Sequence, residues 1–189
     1  MLYRFFRDSV TGNPDHAAHV LLDRLHPMND EGELERLRHG PGPAERPPEW
    51  ALARLDVDCP GNARIVLAGC REVLEIVLRQ DPARWPSDAE WRELLPAWFV
   101  QASADEISRE EAERRLHLPL RKRDELDEPW SVGAFVYWFL PDNRYWSWWD
   151  AVVLSPDRLR IELEAADVFP SEALAWLLRA SGASSVDKR

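Results

Sequence analysis

A chain of 189 residues is the length of one ordinary domain, able to bury a substantial core. Its apolar and charged fractions, 45% and 31%, are those of a folded globular protein and exclude wholesale disorder. The formal net charge of −10 argues against nucleic-acid binding, which needs clustered cations for phosphate. It suits an acidic surface offered to a basic protein partner.

Cys59 and Cys70 are too few for a disulfide framework and do not form CxxC, so both are expected to be reduced. No apolar run reaches the length of a membrane span, and the opening MLYRFFRDS lacks a secretory apolar region and cleavage site. A cytoplasmic location with no membrane partner is therefore expected. Lysine occurs only at Lys122 and Lys188, the rest of the basic charge being arginine, a composition that points to a GC-rich bacterial source.

Leu2–Phe6 reads as a short strand. Asn13 and Pro14 then open a helix with an apolar stripe of Ala17, Val20, Leu21 and Leu25, closed by Pro27. Glu31–His39 is a short, charged helix stopped by Gly40, and 40–48 (GPGPAERPP) is a loop within the domain. Ala53–Asp58 and Ala63–Leu67 flank Cys59-Pro60-Gly61-Asn62 as a hairpin. The stretch 70–80 fits helical spacing, while its β-branched Val73, Ile76 and Val77 leave a strand open. Ser87-Asp88-Ala89-Glu90 is a capping box that launches a helix through Trp91, Leu94 and Leu95. Pro96 kinks it or starts a second segment through Trp98–Val100. Ser108–Glu111 repeats the capping logic for a helix to about Leu116, and Leu120–Pro129 is a charged connector.

The segment 131–164 reads as a three-stranded antiparallel meander. Its turns are Pro141-Asp142-Asn143-Arg144 and Ser155-Pro156-Asp157-Arg158. Four-residue loops would place Phe135, Tyr137, Phe139, Trp146, Trp148, Val152, Leu154, Leu159, Ile161 and Leu163 on a core face. Val136, Trp138, Leu140, Tyr145, Trp149 and Val153 would share the opposite face with Arg158, Arg160, Glu162 and Glu164. The third strand would then be a wet edge. Asp150 would fall on the core face, where it needs an ion pair, a β-bulge that turns it outward, or a role as a functional carboxylate in a cleft. Pro170 and Ser171 start a last helix through Ala173, Leu174, Leu177 and Leu178. Gly182 stops it, and 183–189 is expected to fray. The fold class is α+β, one globular domain over 1–189, with a mainly antiparallel sheet packed against several helices.

The metal candidates are His16, His19 and Asp23, which share one helical face at i, i+3 and i+7. No second helix supplies a matching element, so a solvated polar face is the preferred account of them. Asp157 with Glu162 and Glu164 loosely resembles a nuclease spacing but lacks the lysine. Asp56 and Asp58 read as the wet face of a hairpin. No G-x-S-x-G elbow, P-loop or dinucleotide glycine motif occurs, and no cofactor is expected. Trp138, Tyr145 and Trp149 form a candidate stacking platform for a sugar or cation, and the Trp138/Trp149 face is a candidate homodimer interface. The expected function is a non-enzymatic protein-binding module, of immunity or inhibitor type, facing a basic partner. The alternative is an enzyme or small-ligand binder with a pocket beside Asp150.

Overall fold

The computed structural model describes residues 30–47, 52–105, 130–165 and 169–189. The expectations for 1–29, with His16, His19 and Asp23, and for the helix at 108–116 lie outside the described residues. In chain order the described elements begin with α1 (Asp30–His39), β1 (Leu52–Asp58) and α2 (Ala63–Leu78). Next come α3 (Asp88–Leu94), α4 (Ala97–Ala102) and α5 (Val132–Tyr137). The chain closes with β2 (Trp146–Ser155), β3 (Arg158–Ala165), α6 (Glu172–Ala180) and β4 (Ser185–Lys188). The strands form one antiparallel sheet in the order β2-β3-β1-β4. The fold is α+β.

The inner face of the sheet carries Leu159, Ile161 and Leu163 of β3 with Leu55 and Val57 of β1, all buried. Against the core packs α2, whose buried Ala63, Val66, Leu67, Cys70, Val73, Leu74 and Val77 recur at three- and four-residue spacing. That stripe settles 70–80 as helix, because sixteen residues of one continuous apolar face outweigh the strand preference of a few valines. It also overturns the hairpin expected at 53–67, since α2 begins immediately after the Cys59–Asn62 turn. The Pro156-Asp157 turn holds that junction. Asp157 Oδ1 accepts from Gly61 N at 2.8 Å, and the Pro156 carbonyl accepts from Ala63 N at 2.9 Å.

Four further expectations are corrected. The first strand of the meander is a helix, α5, leaving a β2–β3 hairpin. Ser131 caps α5 by accepting from Ala134 N at 3.2 Å, and Val132, Phe135 and Val136 bury one helical face. The third strand of the expected meander, β3, is interior rather than an edge. The tail does not fray at its end. Ser185–Lys188 pairs with β1 from Asp58 to Leu55, and Lys188 Nζ sits 3.8 Å from the Phe169 ring centroid.

The fourth correction concerns register. The β2–β3 turn contains two residues, Pro156 and Asp157, and β2 is bulged twice, with Trp149 and Leu154 as the extra residues. Each bulge shifts side-chain parity by one. Past the first, Ala151 and Val153 stand opposite Ile161 and Leu159 on the inner face. Val152 and Leu154, expected in the core, are 44% and 49% exposed on the outer face.

The open edge of β2 is covered by α1. Glu33 accepts from the Trp148 N–H at 2.5 Å, and Arg36 Nε donates to the Trp148 carbonyl at 3.2 Å. Two side chains one helical turn apart thus take both outward backbone groups of one strand residue. Glu33 also pairs with Arg144, whose guanidinium lies 4.7 Å from the Trp146 ring centroid.

Candidate functional site

The outer face of the sheet carries a ladder of cross-strand ion pairs. β1 contributes Arg54, Asp56 and Asp58, and β3 contributes Glu162, Arg160 and Arg158 directly opposite them. The separations are 3.2 Å for Arg54–Glu162, 3.3 Å for Asp56–Arg160 and 3.4 Å for Asp58–Arg158. Arg189 adds a second arginine to Asp56 at 2.9 Å. Antiparallel pairing puts opposite charges side by side at every second residue, which is why the ladder forms. A depression of about 120 Å³ lies over its middle, bordered by Asp56, Asp58, Arg158, Arg160, Arg189 and Leu154.

A second charged feature is α3. Ser87 and Glu90 form the expected capping box, with Ser87 N donating to Glu90 Oε2 at 2.8 Å and Glu90 N reaching Ser87 Oγ at 3.5 Å. Hydrogen bonds from the Ser87 hydroxyl and then its backbone N–H hold the Glu90 carboxyl below the usual carboxylate range. Trp91 anchors α3 in the core, its ring centroid 5.0 Å from that of Trp85. Asp88, Glu90 and Glu93 are left exposed, with exposed Leu94 beside them and exposed Asp81 just upstream.

The structure scatters the aromatic candidates. Trp138 is the half-buried C-cap of α5, against Trp130 and Tyr137. Tyr145 is 38% exposed in the approach to β2. Trp149 is buried at the first bulge, and the Arg36 guanidinium, 5.0 Å from its ring centroid, already occupies the place of a cationic guest. The three do not lie on one strand. Asp150 pairs across from Glu162 and so leaves the core side. Its Oδ1 accepts from Ala151 N at 2.7 Å and lies against Gly40, where an added Cβ would come within 3.2 Å.

Asp157 serves its turn and Glu162 its ion pair with Arg54, so the nuclease-like spacing is absorbed by structure. Among the described residues no group of three or more His, Cys, Asp or Glu is placed to hold a metal ion. Cys59 and Cys70 are free and fully buried. Burial pushes both thiols up, with Asp58 adding to the rise at Cys59. No described helix is long and apolar enough to cross a membrane.

The sequence showed the Asp56/Asp58 pair and the alternation Arg158/Arg160/Glu162 separately. Their union needed the β1–β3 pairing, which is not a hairpin and leaves no local signal. No family model, curated protein or solved structure matches the chain.

Proposed function

We propose that the protein works in the cytoplasm by binding another protein, as an immunity- or inhibitor-type module whose acidic exterior meets a basic partner. The observation that carries this reading is the α3 segment. Asp81, Asp88 and Glu93 are exposed and enter no ion pair among the described residues, and exposed Leu94 follows Glu93 at the end of the same helix. Unpaired carboxylates on a helix that also exposes a leucine combine long-range attraction with a short-range anchor, which favours fast, charge-steered association. The net charge of −10 extends the same field over the whole chain. The reduced, buried Cys59 and Cys70 support the cytoplasmic setting.

The test is affinity capture from the source cells at low and high salt, with the wild type and an Asp88→Asn/Glu93→Gln variant. A basic protein that is held at low salt, released at high salt and lost by the variant is the expected result. A partner that ignores both salt and the variant overturns the reading.

A further inference from the structure

The ladder leaves an unusual set of free donors. Arg158, Arg160 and Arg189 each meet their aspartate through Nε. No terminal amino group of these three guanidiniums has a protein acceptor among the described residues. A guanidinium presents five N–H donors in a fixed fork, and the terminal ones match the oxygens of a carboxylate or phosphate in bidentate fashion. Asp56 lies between Arg160, whose Nε hydrogen-bonds it, and Arg189, and Asp58, which accepts from Ser185 Oγ at 3.0 Å, stands in ion-pair contact with Arg158. All three arginines border the depression of about 120 Å³.

The wall of that depression is Leu154, one of the two large side chains that the bulges of β2 turn outward. Val152, the other, stands directly across from Arg160. An apolar strip beside these guanidiniums suits a ligand with an oxyanion head and an apolar body. We propose that this outer sheet face binds such a ligand, with the oxyanion on Arg158, Arg160 and Arg189 and the apolar body along Leu154 and Val152. Asp56 and Asp58 cancel most of the arginine charge, and exposed Asp187 of β4 stands opposite Asp56. Recognition therefore rests on directed hydrogen bonds at close range, not on a field that draws anions from a distance in a chain of charge −10. The site uses residues separate from α3, so it and the protein-binding reading fail independently.

The experiment is a titration with inorganic phosphate and with hexyl phosphate, at ionic strength matched with sodium chloride. It is followed through the arginine Nε–Hε and the valine and leucine methyl resonances of the full chain. Both probes should give saturable shifts at Arg158, Arg160 and Arg189. Hexyl phosphate should bind about tenfold tighter, the effect of burying roughly two methylenes, and should also move Val152 and Leu154. Arg189→Gln should weaken both probes, and Leu154→Ser should abolish the gain from the hexyl chain alone. Both side chains are exposed, so neither variant threatens the fold. Shifts no larger than those given by chloride overturn the proposal, as does binding indifferent to Arg189→Gln. Equal affinity for the two probes overturns the apolar half of it.

Discussion

Glu33 and Arg144 form an ion pair sealed inside the protein, at 2% and 7% exposure, 111 residues apart in sequence. The carboxylate is shared with the Trp148 N–H, so one charged side chain fixes both the loop before β2 and the free edge of β2. Removing one partner strands a buried charge. Glu33→Ala should cost about 3–5 kcal/mol in urea unfolding, and Arg144→Met a similar amount. A Glu33→Ala/Arg144→Met double variant should cost much less than the sum of the two single changes. Additive losses would show that the pair is not energetically coupled.

The bulged register of β2 is tested at its surface. Leu154→Ser should change stability by less than about 0.5 kcal/mol, because the side chain already faces water. Leu163→Ala, on the inner face opposite Trp148, should cost roughly 2–5 kcal/mol. An unbulged β2 would put Leu154 in the core, and its substitution would then be the damaging one.

Ser87→Ala should destabilise by about 1 kcal/mol through loss of the α3 cap. The interaction with Glu90 adds a pH signature. The folded carboxyl titrates below its ordinary 4.5, so its contribution is present above that value and disappears as pH falls through the folded pKa. The stability difference between wild type and Ser87→Ala should therefore narrow on acidification below about pH 5. A gap that widens in acid would contradict the assigned direction.

The last strand is tested by truncation. Removing 185–189 takes away the β4–β1 ladder and the Lys188 contacts to Phe169. The chain should remain folded but lose roughly 2–4 kcal/mol, the value of a few net hydrogen bonds with their packing. An unchanged urea midpoint would mean that this segment frays after all.

What the sequence revealed depended on how local the deciding interaction was. The Ser87 box and the helix after Ser171 are set by their own residues and were legible. At 131–140, Phe135, Tyr137 and Phe139 satisfy a period of two, while Val132, Phe135, Val136 and Phe139 satisfy the helical period. A short apolar run fits both, and the Ser131 cap decides for helix. The bulge at Trp149 left no mark in the sequence, because Trp148 is pinned by Glu33 and Arg36 from a helix more than a hundred residues earlier. Ser185–Lys188 has one apolar residue and becomes a strand because the edge of β1 is open to it. The candidate surfaces divide likewise, with Asp88 alone of Asp81, Asp88 and Glu93 lying in the capping box that the sequence marks and the arginine cluster visible only once β1 lay beside β3.

The cover that α1 gives to β2 governs how this chain would misassemble. Trp146–Val153 reads WSWWDAVV, aromatic and β-branched with a single charge, a composition suited to cross-β stacking. Leu37 is fully buried and Leu34 packs partly against the core, while Glu33, Arg36 and Arg38 fix the rest of α1 through charged side chains. Loss of either partner of the buried Glu33–Arg144 pair will loosen α1 before it opens the apolar core. A chain in that state exposes a sticky strand while remaining otherwise native, and fibre growth would be seeded by folded molecules rather than unfolded ones.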